Sequence, residues 1–286
     1  MKICKYAISA LLLASCALCA AQGNTTSVEN LDGEKWWGAA TFFGQFMPYG
    51  DFKEKNIGKS NYSNQIYPFF VSNKGRYIWS DKPFKFSSKD GVLTITSEFE
   101  KIEPVPAGKT MKEAFLAAAK KHFPPSGTMP PELFFSAPQY NTWIELQNNQ
   151  NQSNRYFYGE LKKMQKEYSL DGFKFDAGDV NFVCGDFRFS NPGALPVDYC
   201  LMWAKYGLEF DFNEYRACYK MAGQPIVQRL QDKKHSWKDL RQAVSDMLAA
   251  GVLGYAYACP DMIGGGEAKT FQPGCTINEK LVVRSC

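Results

Sequence analysis

The sequence predicts an α/β protein in two parts: a β-sandwich-like module over residues 30–108, then a region over residues 109–286 built on a parallel sheet, closed as a barrel or left open. Three observations predict this. Short aromatic runs punctuated by Asn, Gly and Asp fill residues 36–103. A capped helix and two proline pairs, Pro124-Pro125 and Pro130-Pro131, separate the halves. From Phe134 onward, short apolar runs alternate with helical stretches, the rhythm of strands joined by crossover helices.

The elements follow in order. Residues 66–71, 75–79 and 91–96 read as antiparallel strands, the last entered through the Lys89-Asp90 turn. Residues 109–122 read as a helix. Thr110 caps it, Glu113 completes a capping box, and Ala114, Ala117 and Ala118 favour the helical state. In the second half, residues 140–146, 172–175, 208–212, 225–230 and 253–258 are expected strands. Residues 156–168 and 236–250 are expected helices.

Composition excludes several classes. The chain is 45% hydrophobic and 15% aromatic, which excludes a disordered chain. Net charge is +4 without a dense Lys/Arg run, which argues against nucleic acid as a partner. With only His122 and His235, a His-rich metal site is excluded; no metal or cofactor is expected. No apolar run reaches the roughly 20 residues of a membrane span.

Residues 1–21 read as an export signal. Lys2 and Lys5 form the charged region, residues 6–13 the apolar region, and Ala20-Ala21 the small-residue cleavage site. Leu13-Ala14-Ser15-Cys16 also fits a bacterial lipobox, in which Cys16 would carry a lipid anchor and attach the protein to a membrane. Either outcome places the mature protein outside the cytoplasm, in the periplasm, on the outer membrane or secreted. Six cysteines remain: Cys184, Cys200, Cys218, Cys259, Cys275 and Cys286. They show no zinc-ligand spacing and read mostly as buried small hydrophobes, with room for one bridge.

Acidic residues gather at predicted strand ends. Asp176 follows the strand at 172–175, Asp232 the strand at 225–230, and Asp261 the strand at 253–258. In a β/α barrel such positions converge on one pocket. Paired carboxylates are what glycoside hydrolysis needs: one attacks or stabilises the anomeric carbon and the other donates and then recovers a proton. Abundant aromatic side chains suit sugar stacking. The alternative for each aspartate taken alone is a helix cap.

Three strings narrow the choice: Pro-Gln-Tyr-Asn-Thr-Trp-Ile-Glu over 138–145, Asp-Gly-Phe-Lys-Phe-Asp-Ala-Gly-Asp over 171–179, and Pro-Asp-Met-Ile-Gly-Gly over 260–265. Together they resemble glycoside hydrolase family 31, in the branch that includes the myogenesis-regulating glycosidase and its bacterial relatives. The resemblance runs from about Trp36 to the C-terminus. It implies a TIM (β/α)8 barrel preceded by a β-sandwich, and an α-linked oligosaccharide or glycoside as substrate. It implies Asp176 as nucleophile. It implies Asp232, eight residues before Leu240-Arg241, as acid/base. Arg216, sixteen residues before Asp232, then matches the arginine that contacts the sugar, and Asp261 a substrate-hydroxyl ligand. Trp143 becomes a candidate platform, with a core Trp as its alternative, and Lys174 a further substrate-binding candidate.

Two departures from the family pattern shape the expectation. Residues 147–154 run directly into the helix before the nucleophile strand, where the family has two further strands carrying an Asp and a Trp of the sugar site. No last strand with a substrate-binding His follows Asp261. About 150 residues from Phe134 stand against about 250 for a complete barrel. The expected architecture is therefore a partial barrel, internally deleted and C-terminally truncated, with about five of eight strands. The expected function is a retaining exo-α-glycosidase by descent. A catalytically dead carbohydrate-binding remnant and an unstable fragment are the alternatives. The sugar is left open among α-glucose, α-galactose and α-xylose.

Overall fold

A computed structural model describes residues 23–59, 65–136, 155–183, 188–265, 267, 274 and 276–286. The expected signal segment with Cys16, the expected strand at 140–146 with Trp143, and Cys184 and Cys275 lie outside the described residues.

The first eight strands are β1 (Asn24–Glu29), β2 (Trp36–Ala40), β3 (Phe52–Asn56), β4 (Gln65–Ser72), β5 (Arg76–Trp79), β6 (Lys85–Lys89), β7 (Val92–Ser97) and β8 (Val105–Pro106). One antiparallel sheet has the order β1-β7-β6-β3. In the other, β4 pairs with β2 and β5, and β5 with β8, all antiparallel. All eight residues of β4 are buried, which accounts for its continuous apolar run. Its side chains alternate between two cores. Ile66 and Phe70 pack with Phe86, Leu93 and Ile95 of the opposite sheet. Tyr67, Phe69 and Val71 face away from that sheet and pack with Ala114, Ala118 and Phe123.

Ala114 and Ala118 belong to α1 (Met111–His122), which carries the expected capping box. Glu113 N–H donates to Thr110 Oγ1, and Thr110 N–H donates back to the Glu113 carboxylate. Pro124-Pro125 follows its end.

The second half contributes α2 (Arg155–Glu167), β9 (Gly172–Phe175), α3 (Pro196–Gly207), β10 (Phe212–Tyr215), β11 (Cys218–Tyr219), β12 (Val227–Arg229), α4 (Trp237–Val252), β13 (Ala258–Cys259) and α5 (Glu279–Ser285). Strands β9, β10, β12 and β13 lie side by side in chain order and run parallel. Each new strand adds on the same side of the last, as in a barrel; an open doubly wound sheet would reverse. The result is an arc of a (β/α)8-type barrel. The helix layer packs on its outer face, where Phe175 stacks on Tyr215 at 5.1 Å and meets Trp203 edge-on at 5.5 Å.

Three local readings differ from the sequence expectation. The strand expected at 208–212 begins at Phe212 and runs to Tyr215. Leu208 caps α3 instead, and Phe210 packs edge-on against Phe173 at 5.1 Å, so these apolar residues serve the end of a buried helix. The strand expected at 253–258 shrinks to Ala258–Cys259, because Leu253 caps α4. Helix α3 itself was not anticipated, although Pro196 at its start and Asp198, whose carboxylate accepts from Leu195 N–H, mark its N-terminus.

The two halves interlock. β11 leaves the barrel region and pairs parallel with β4. Helix α4 packs on the short 3-10 helix Thr41–Phe46, where Gly44 faces the Ser245 carbonyl so closely that a Cβ would overlap it. Gln65, at the start of β4, accepts a hydrogen bond from Thr41 Oγ1 and donates to the backbone carbonyls of Arg216 and Arg229, each at 2.5 Å. Among the described residues, Cys200 and Cys218 are buried free thiols, Cys259 is half-buried and Cys286 exposed, both also free. No helix among the described residues is long and apolar enough to cross a membrane.

Candidate active site

Alternation along the parallel strands builds the site. On β9, Phe173 and Phe175 point into the aromatic layer, which leaves Lys174 and then Asp176 on the inner face. On β10, Glu214 lies opposite Lys174, and Tyr215, opposite Phe175, joins the aromatic side. Arg216 follows on the inner face. Arg229 ends β12, and Asp261 follows β13 by two residues. Charges from four neighbouring strands therefore meet at their C-terminal ends.

Arg229 is the centre. Its side chain is 3% exposed. Nη2 donates to Asp176 Oδ1 at 2.8 Å, Nη1 lies 2.9 Å from both Asp232 Oδ1 and Asp261 Oδ1, and Nε lies 3.6 Å from Glu214 Oε1. Arg216 approaches Asp176 Oδ1 at 3.3 Å and is gripped by Asp179, whose Oδ2 accepts from both Nε and Nη2. Lys174 lies 3.4 Å from Glu214 and 3.5 Å from Asp261.

Five carboxylates thus face three cations. Burial is the main influence on Glu214 and raises its carboxyl above the usual range, against the pull of Lys174 and Arg229. Burial alone would disfavour the Arg229 charge. Asp261, Asp176 and Asp232 outweigh it and hold the guanidinium more firmly protonated than an ordinary arginine.

The backbone at the two outer aspartates is constrained. Ala177, whose N–H donates to Asp176 Oδ1 at 2.9 Å, has φ 63°, and Asp261 has φ 77°. Such left-handed non-glycine residues cost of order 1–3 kcal/mol each and persist where surrounding contacts impose them. Gly178, at φ 81°, packs on Trp203 where a Cβ would collide with the indole.

The structure brings together Asp176, Asp232, Arg216, Asp261 and Lys174 of the residues expected from sequence. Trp143 lies outside the described residues. The side chain of Asp232 is 47% exposed, whereas those of Asp261 and Glu214 are buried. Sequence reasoning missed Arg229, Glu214 and Asp179. Asp179 closes the motif that contains Asp176. Arg229 and Glu214 stand on strands at positions where only inward alternation marks them.

No family model matches the chain. Over 122 residues it is 30% identical to the myogenesis-regulating glycosidase of Mus musculus, covering 40% of this chain and 16% of that protein. Among solved structures, a glycoside hydrolase family 31 sulfoquinovosidase from E. rectale superposes with a TM-score of 0.66 at 12% identity, over 91% of this chain and 61% of that one. The cycloalternan-degrading enzyme from Trueperella pyogenes gives 0.56 at 10% identity, over 91% and 59%. A family 31 dextranase from Flavobacterium johnsoniae gives 0.57 at 12% identity, over 84% and 47%. The chain thus spans a minor part of the curated relative and about half to three-fifths of these structures. With its two-sheet module leading into parallel strands in barrel order, the chain has a glycoside hydrolase family 31-like fold, a β-sandwich followed by a partial TIM barrel.

Proposed function

We propose that this chain is the core of a retaining exo-α-glycosidase acting on α-linked oligosaccharides or glycosides. One observation carries the reading: Asp176 and Asp232, from the ends of different strands, occupy the two terminal nitrogens of one guanidinium at the C-terminal side of the barrel arc. In a retaining mechanism Asp176 attacks the anomeric carbon and Asp232 gives its proton to the departing oxygen. Asp232 then takes a proton from water as that water displaces Asp176 from the sugar. Arg216, set by Asp179, orients Asp176 for attack. Asp261, Lys174 and Trp143 are assigned to substrate binding. Export through the leader, with lipidation at Cys16 as one route, would place this activity outside the cytoplasm.

The test is hydrolysis of aryl and alkyl α-glycosides by the full chain. Asp176→Ala should abolish both. Asp232→Ala should harm alkyl glycosides most, because only a poor leaving group needs the proton. Equal losses on both substrate types in Asp232→Ala would remove it as the acid.

A further inference from the structure

Among the described residues, no other cation meets as many site carboxylates as Arg229. Lys174 and Arg216 each touch two, whereas Arg229 lies against Asp176, Asp232, Asp261 and Glu214. Its position is fixed at both ends. The backbone sits in the parallel ladder, and its carbonyl accepts from the buried Gln65 amide. The guanidinium is rigid and planar, so two carboxylates held on Nη1 and Nη2 are held at a set separation. A lysine ammonium is a single point charge on a flexible stem and offers no such fork. Without a cation between them, the Asp176 and Asp261 carboxylates, both largely withdrawn from solvent, would repel.

We propose that Arg229 is the positioning residue that spaces the nucleophile Asp176 and the acid/base Asp232, with Asp261 as the anchor that holds the guanidinium between them. The inference rests on the glycosidase reading for its catalytic meaning, but its structural half is measurable without activity.

Two measurements on the full chain test it. The first is a pair of double-mutant cycles on unfolding, joining Arg229→Met with Asp176→Asn and with Asp232→Asn. Coupling of about tenfold in the unfolding equilibrium constant is expected for the buried Asp176 pair, and less for the more exposed Asp232. Additive effects in both cycles would overturn the proposal. The second uses Arg229→Lys, which keeps the charge and guards against an unfolded variant. Turnover is counted per active site by covalent labelling with a fluorinated aryl α-glycoside. Arg229→Lys should lower kcat about 100-fold on aryl and alkyl glycosides alike, with little change in KM. Guanidinium ion should restore part of the turnover of Arg229→Ala. Unchanged kcat per labelled site would make Arg229 a purely structural residue and overturn the proposal. A loss confined to alkyl glycosides would tie it to Asp232 alone and overturn the spacing role. Strong coupling in the cycles, with no α-glycoside hydrolysed or labelled by the unmodified chain, would overturn the glycosidase reading while leaving the spacing of the two carboxylates established.

Discussion

Lys233 Nζ lies 3.1 Å from Asp246 Oδ2, a buried ion pair that ties the residue after Asp232 to helix α4. Lys233 Nζ also donates to the Gln231 carbonyl at 3.1 Å, so one ammonium joins the loop carrying Asp232 to that helix. Burial pushes the Asp246 carboxyl up to about 6, against the opposing pull of Lys233.

A carboxyl whose folded pKa lies above its unfolded value of about 3.9 binds a proton more readily when folded. Its contribution to stability is greatest below about pH 4 and is lost as pH rises through about 6. Between about pH 4 and pH 7, the unmodified chain should therefore lose about 2 kcal/mol relative to Asp246→Asn. Urea unfolding of both proteins across that range checks this. A pH-independent difference between them would refute it.

Gln65 joins the sandwich to the site by donating to the carbonyls of Arg216 and Arg229. Gln65→Leu leaves the buried Arg229 carbonyl and the part-buried Arg216 carbonyl without this donor and should cost about 2–4 kcal/mol. Thr41→Val removes only the hydroxyl donor to Gln65 and should cost about 1 kcal/mol. Chemical denaturation of the two variants ranks them; similar losses would mean the two carbonyl bonds contribute little.

Gly44→Ala drives a methyl group into the Ser245 carbonyl at the contact between the 3-10 helix Thr41–Phe46 and α4. Backbone cannot yield as a side chain tip can, so a loss of about 2–3 kcal/mol is expected. Gly50 faces open space, and Gly50→Ala should leave the thermal midpoint nearly unchanged. Comparing the two midpoints isolates the contact from the effect of adding a methyl group.

Glu34 and Arg76 form a fork within the sandwich. Arg76 Nε donates to Glu34 Oε1 at 2.9 Å, Nη2 donates to Oε2, and Leu31 N–H donates to Oε2 at 2.9 Å. The guanidinium also lies over the Trp36 ring at 5.3 Å. Burial acts to raise the Glu34 carboxyl, but Arg76 and the Leu31 N–H prevail and hold it below its usual value. A lowered carboxyl stabilises above its unfolded pKa of about 4.3, and that stabilisation is lost as pH falls through the folded value. Glu34→Gln should cost about 2 kcal/mol near neutral pH and progressively less in acid. Unfolding at neutral and acidic pH reads the change; an equal loss at both would sink it.

The sequence by itself determined the elements whose signals are local. The apolar run of β4, the Thr110/Glu113 box of α1, the helices near α2 and α4, and the strand leading to Asp176 all follow from neighbours a few residues apart. The aspartates at strand ends were visible for the same reason, because a charged residue closing an apolar run marks the mouth of a barrel. Only the tertiary structure decided how those charges pair. Arg229 meets Asp176 across 53 positions of chain, and Gln65 reaches the Arg229 carbonyl across 164. Such contacts exist only after strand order and register are set, and register sends alternate residues to opposite faces. Phe210 shows the converse: its apolar character was plain, but a buried helix end and a buried strand look alike until the partner Phe173 is in place. An ion pair's strength depends on burial and on the other charges around it, and both are properties of the assembled strands rather than of any one segment.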